Sequence, residues 1–421
     1  MLLADQQKQD GGAGIVSIRL KGVISRLLIA VLLAWTGLEF NACGTTTQRS
    51  RDSVTTVYWS VAVGDLNGDA LPDLAVSYTR FSNQAADAGF VAVYLQDPAR
   101  PGKFLPPMNY PVGAVPKSIA IGDLNGDGKP DIVSANTTME VSGPGSISVL
   151  IQNAASPGSF LTAVNYATGD NPSFIAIGDL QGDGAVDLAV ADANGISIHL
   201  NNSCLPGTFL PVTSIRLGTA ASSVAIADLN GDQKSDLVAT TAENILVLLH
   251  SSIVPETFLP PVSYAAGLRP SSVAVADLNE DGKPDLAVAN EGSPSDPTTA
   301  SVSVLLQNTA QPGTFSAPTN YATDRESTLV VATDLNGDTE ADLVVVNLGS
   351  ISVLLHDLCL ATHIFPAVNY EAANPVRWVA VGDVNGDGRP DLVIVAADGV
   401  EIRIQDQDHP GSFLAPTVIT R

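Results

Sequence analysis

A short acidic string recurs seven times in this chain, and no other feature narrows the possible folds as far. It reads Asp65-Leu-Asn-Gly-Asp, Asp123-Leu-Asn-Gly-Asp, Asp179-Leu-Gln-Gly-Asp, Asp228-Leu-Asn-Gly-Asp, Asp277-Leu-Asn-Glu-Asp, Asp334-Leu-Asn-Gly-Asp and Asp383-Val-Asn-Gly-Asp, spaced by 58, 56, 49, 49, 57 and 49 residues. Self-similarity at such a period marks a repeat architecture. Around each string the grammar is constant. An apolar run such as Ser272-Val-Ala-Val-Ala leads in, and a second such as Asp285-Leu-Ala-Val-Ala leads out. An alternating third follows, as in Ser301-Val-Ser-Val-Leu-Leu, then a Pro-Gly-Thr-Phe turn (Pro312 to Phe315) and a fourth segment ending near Tyr321. The turn recurs, with variants, at Phe104, Phe160, Phe209, Phe258, Phe365 and Phe413. Short apolar or alternating runs bounded by Gly, Pro, Asn and Asp are strands. Four strands per unit in seven units predict an all-β, seven-bladed β-propeller over residues 54–421, one domain despite its length because a lone blade cannot bury both faces. A linear β-solenoid is the alternative; it calls for atypical capping units, and the end units here look like the rest.

The acidic strings fall between the first and second strands. Counting the leading Asp as position 1, side-chain oxygens stand at positions 1, 3, 5 and 9, and a backbone carbonyl stands at position 7. The sets are Asp65, Asn67, Asp69, Leu71, Asp73; Asp123, Asn125, Asp127, Lys129, Asp131; Asp179, Gln181, Asp183, Ala185, Asp187; Asp228, Asn230, Asp232, Lys234, Asp236; Asp277, Asn279, Asp281, Lys283, Asp285; Asp334, Asn336, Asp338, Glu340, Asp342; and Asp383, Asn385, Asp387, Arg389, Asp391. Asn-Gly alone makes a good hairpin turn, but a bare turn has no use for three clustered carboxylates that repel one another. A hard cation removes that repulsion. Calcium accepts 6–8 oxygens in irregular geometry, whereas magnesium demands a strict octahedron. The expectation is up to seven structural Ca²⁺ ions. Position 6 is Gly in the loops at Asp123, Asp179, Asp277 and Asp383, but Ala70, Gln233 and Thr339 in the others. A positive φ would be strained at those three, which predicts weaker sites.

These strings, most fully Ile121 to Ile132 and Val381 to Leu392, resemble the FG-GAP/VCBS repeats of integrin α-subunit heads and of many bacterial secreted proteins. The resemblance covers nearly all of the chain after its leader. It implies a seven-bladed propeller with Ca²⁺ in inter-strand loops on one rim, but no single activity, since the family includes adhesion modules, lectins and propellers attached to enzymes.

The first residues are of another kind. Arg19, Lys21 and Arg26 precede an apolar run from Leu27 to Trp35, shorter than the roughly 20 residues that a spanning helix needs. A basic flank with a short apolar run reads as an export signal. Ala42-Cys43-Gly44 beyond it resembles a bacterial lipoprotein signal, in which the cysteine is lipidated. Residues 1–43 are therefore expected to be a leader, 44–53 a polar tether, and the protein to lie in the cell envelope or outside the cell, with membrane contact only through a lipid on Cys43.

The acidic balance, a net charge of −24 with 44 acidic against 20 basic residues, repels phosphate backbones and argues against nucleic acid as a partner. Three cysteines make no disulfide framework; Cys204 and Cys359 lie in blades too far apart to pair. His199, His250 and His356 align with Gln152, Gln307 and Gln405 at third-strand ends, which predicts hydrogen bonding rather than catalysis, while His363 and His409 read as solvated. Trp59 and Trp378, placed at one repeat position just before the first strands of units 1 and 7, read as packing at the ring seam or as a stacking platform for sugar or peptide. Tyr110, Tyr166, Tyr264, Tyr321 and Tyr370 read as repeat-level packing. The function expected is a non-enzymatic binding or adhesion module for a protein or glycan; the rival is a propeller-based polysaccharide lyase or hydrolase.

Overall fold

The structure, a computed structural model, describes residues 55–82, 85–138, 143–254, 257–356, 366–372, 375–396 and 399–420. The chain divides into two units, 1–51 and 52–421. The leader, the tether, Cys43, Cys359, His363 and Phe365 all lie outside the described residues.

Seven four-stranded antiparallel sheets follow one another in chain order. They occupy residues 55–112, 115–170, 174–216, 221–264, 270–322, 329–371 and 376–420, numbered blades 1 to 7. Each is a simple meander, strand 1 paired to 2, 2 to 3, and 3 to 4. Burial follows from this order. Second strands such as Asp236–Thr241 and Asp391–Ala396 are buried at every residue, which explains their unbroken apolar runs. Fourth strands such as Thr319–Ala322 are mostly exposed.

The core is not central. It is divided into seven apolar clusters, one at each blade–blade interface. Val61, Leu74 and Val76 of blade 1 meet Val384, Val393 and Val395 of blade 7, so the ring is closed and a linear solenoid is excluded. No strand is exchanged at this seam: blade 7 forms all four strands from 376–420. First strands lie innermost. At Gly382 an added Cβ would stand 2.7 Å from Cγ1 of Val63, and at Gly122 the same distance from Cδ1 of Ile177. Glycine there lets neighbouring first strands converge on the axis.

The fourth-strand tyrosines act as clasps. Tyr110, Tyr166, Tyr264 and Tyr370 set their rings edge-on, 5.6 Å between centroids, against Phe160, Phe209, Phe315 and Phe413 of the following blade. The Tyr110 hydroxyl also accepts the Phe160 N–H at 3.1 Å. This bears out the packing role expected of them.

Two alignments need correction. The third-strand-end position is filled by Gln96, Gln152, Asn201, His250, Gln307, His356 and Gln405, so Asn201 rather than His199 is the counterpart in blade 3. His199 stands two residues earlier, buried, with Nε2 2.9 Å from the Thr168 hydroxyl. Nor do Trp59 and Trp378 share a position or precede their strands. Both lie within first strands that carry a β-bulge; the bulged residue is Trp59 in blade 1 but Arg377 in blade 7, which sets Trp378 level with Ser60. Counted back from the leading aspartates, Trp59 stands six residues before Asp65 and Trp378 five before Asp383, so the offset is already present in the spacing.

Candidate metal centres on one rim

All seven acidic loops join first to second strands at the same end of the ring. The position-1 carboxylate closes each loop on itself. In blade 1, Oδ1 of Asp65 accepts the Gly68 N–H at 2.7 Å and Oδ2 accepts the Ala70 N–H at 2.8 Å. Asp123, Asp179, Asp228, Asp334 and Asp383 do the same in their loops, and Asp277 holds the Gly282 N–H. Positions 3 and 5 add Asx turns: Asn67 Oδ1 accepts the Asp69 N–H, and Asp69 Oδ1 accepts the Leu71 N–H.

Position 9 differs in kind. Asp73, Asp131, Asp187, Asp236, Asp285, Asp342 and Asp391 are wholly buried. Each Oδ2 accepts the position-2 N–H at 2.9–3.1 Å. Each Oδ1 accepts, at 2.6–2.8 Å, the N–H of the third-strand-end residue. Side chains at those ends then reach back one blade. Gln152 Nε2 donates to Leu66 O at 2.8 Å, Asn201 Nδ2 to Leu124 O at 2.7 Å, Gln307 Nε2 to Leu229 O at 2.7 Å and Gln405 Nε2 to Leu335 O at 2.6 Å. The Pro-Gly turn of the following blade covers position 3. Gly158, at φ +78°, lies so close that a Cβ would stand 3.0 Å from Cβ of Asn67.

Burial pushes Asp73, Asp131, Asp236, Asp285, Asp342 and Asp391 up to about 6, and raises Asp187 as well. The carboxylates at positions 1 and 5 push the same way; the two backbone N–H donors oppose it. Among the described residues, the only basic side chain within ion-pair distance of a loop aspartate is Lys129, 3.6 Å from Asp127. The donor set is all oxygen and suits a hard cation. Each position-9 oxygen accepts one N–H and keeps a lone pair. Among the described residues, however, no three His, Cys, Asp or Glu side chains converge closely enough to hold a metal ion.

The strain expected at position 6 is present: φ is +66° at Ala70, +66° at Gln233 and +74° at Thr339. Thr339 is the worst case, being β-branched in the left-handed region. Replacing Thr339 by Gly keeps the N–H to Asp334 Oδ2 and is expected to raise unfolding stability by about 1 kcal/mol. A lower urea midpoint for the variant would refute this.

The sequence reading missed one blade-specific group. Glu280 replaces the position-4 Gly of the other loops and holds φ +58°. A hydrogen bond with the Glu340 carboxyl raises its proton affinity, with further repulsion from Glu340. Glu340 in turn pairs with Nδ1 of buried His356. The available signal was Glu280 itself, the one departure from Gly at that position. Elsewhere Cys204 is a free, exposed thiol, and His409 is exposed, 3.0 Å from Asp406.

Comparison with known proteins agrees with this geometry. The FG-GAP-like repeat pattern matches residues 179–239, 228–288 and 277–345, and the FG-GAP repeat pattern matches 57–94, 115–150 and 376–406. No curated protein sequence matches the chain. An Agrocybe aegerita lectin that recognises non-reducing terminal N-acetylglucosamine aligns at TM-score 0.53 and 17% identity, over 86% of this chain and 94% of the lectin. The rhamnogalacturonan lyase YesW aligns at 0.48 and 15%, over 85% of this chain and 72% of its own. A Bacillus licheniformis rhamnogalacturonan lyase aligns at 0.47 and 15%, over 87% and 72%. At these identities the likeness is one of fold. The chain is a seven-bladed β-propeller built of FG-GAP repeats.

Proposed function

We propose that this propeller is an exported, calcium-stabilised binding module for a protein or glycan, with Ca²⁺ held by the rim loops. The observation that carries the reading is the buried position-9 aspartate, repeated in every blade beside two further carboxylates. Bound calcium would offset that crowding and fasten strand 1 to strand 2 around the whole rim. The carbonyls of Leu71, Lys129, Ala185, Lys234, Lys283, Glu340 and Arg389 would complete the sets. Because the same chemistry is repeated seven times, it serves to stiffen a surface rather than to build one reaction centre. Cys43, lipidated, would tether the module to a membrane; no helix of the described residues is long and apolar enough to cross one.

The lyase or hydrolase reading draws on a group of the acidic rim that the other blades lack, Glu280, Glu340 and His356. A glycan array and an unsaturated-uronate absorbance assay on the same calcium-loaded sample separate the two readings. Saturable binding without new absorbance is expected; turnover would replace the binding module with an enzyme.

A further inference from the structure

The rim opposite the acidic loops breaks the sevenfold pattern in one sector. Six residues before the leading Asp of each loop, the blades carry Trp59, Lys117, Ser173, Ser222, Ser271, Thr328 and Arg377. In blades 3 and 5 this residue is a serine whose hydroxyl donates to the backbone of the next blade: Ser173 to Ser222 O at 3.0 Å, and Ser271 to Ser327 O at 2.9 Å. Blades 7, 1 and 2, adjacent around the ring, carry instead Arg, Trp and Lys. The Arg377 guanidinium lies 4.6 Å from the centre of the Trp59 ring, and the Trp59 indole N–H donates to the Thr79 hydroxyl at 2.9 Å. Lys117 reaches Asn171 Oδ1 at 3.5 Å.

Neither cation has a carboxylate within ion-pair distance among the described residues, and Arg377 Nε is buried without a hydrogen-bond partner. Burial lowers the proton affinity of both. Half-buried cations without counter-charge are costly, and they stand out in a chain of net charge −24. One residue further in, the axis is floored. Phe174 of blade 3 stacks on Trp378 of blade 7 with centroids 5.4 Å apart, joining blades that are not neighbours in the ring.

We propose that this mouth of the axis is a binding site for a carboxylate-bearing sugar ring, with Arg377 and Lys117 taking the carboxylate and the aromatic groups Trp59 and Phe174–Trp378 taking the apolar face of the ring. The guanidinium fork matches a carboxylate, and aromatic faces suit the C–H face of a pyranose. The site rests on the binding-module reading and names its ligand class.

The test titrates the full chain, in calcium, with glucuronic acid, glucose and acetate, read by tryptophan fluorescence and calorimetry. Glucuronate is expected to bind saturably and at least about tenfold more tightly than either control, since each control lacks one half of the recognition. R377Q and K117Q are each expected to weaken glucuronate about tenfold or more, with melting temperature confirming that the variant folds. Because R377Q also removes the cover from Trp59, K117Q is the safer variant. Equal binding of glucose and glucuronate, undiminished binding by folded K117Q, or capture of an acidic peptide with no response to glucuronate would overturn the proposal. Array ligands bound equally well by wild type and K117Q would overturn it while leaving the binding module standing. No ligand on the array and no response to glucuronate would overturn the proposal together with the glycan-binding reading it rests on.

Discussion

Transferred from calcium to EGTA at pH 7.5, the protein is expected to lose most of its resistance to heat. An ion that binds only the folded chain contributes about 4 kcal/mol per site when free ion exceeds its dissociation constant a thousandfold. Three such loops already match the net stability of a typical domain, about 5–15 kcal/mol. The effect has a pH signature. The position-9 aspartates are raised to about 6 by burial. A carboxyl group whose folded value exceeds its unfolded one binds more protons folded than unfolded between the two values. Without metal, its stabilising share is complete below about 4 and is lost as pH rises through 6. Metal-free protein should therefore melt higher at pH 5 than at pH 7.5. Calcium-loaded protein should show the opposite order, since ligation needs the ionised form. Calorimetry at both pH values, with and without EGTA, checks it. An unchanged melting temperature in chelator, once elemental analysis shows the metal gone, would remove calcium from the account.

Replacing Asp236 by Ala is expected to cost on the order of 3 kcal/mol or more even in EGTA. It strands two buried N–H groups, Leu229 and His250, now held at 2.9 and 2.6 Å. Asp232, exposed on the same loop, makes only local turn bonds, to the N–H of Lys234 among them. Its replacement by Ala should cost well under half as much in EGTA. Measuring in chelator isolates hydrogen bonding from ligation. Urea midpoints of the two variants that coincide would mean that position 9 is not the pin between loop and third strand.

Much of this was legible in the sequence because the repeat states each constraint seven times. Strand order, blade count, the placing of the loops between first and second strands and the strain at Thr339 follow from residue type and spacing alone. The split within the acidic string did not. Asp232 and Asp236 read alike as donors, and only the third strand folding back over the loop buries one and leaves the other in water. The offset of the tryptophans was legible in their spacing from Asp65 and Asp383; the bulge that both blades carry six residues before those aspartates was not. The pairing of Arg377 with Trp59, and of Phe174 with Trp378, joins residues more than two hundred positions apart, and no periodic signal links them.

The chain enters the propeller at its axis, through Thr55–Gly64, and leaves it at the perimeter, through Thr417–Thr420. A pull applied upstream of residue 55 is borne in shear by a strand hydrogen-bonded along its length and wedged between two neighbouring blades. The same pull at residue 420 would act on a short outer strand of four residues, paired with one neighbour and exposed at Thr417 and Val418. A linkage on the amino-terminal side would thus load a strand held among its neighbours, and one on the carboxyl-terminal side an exposed outer edge.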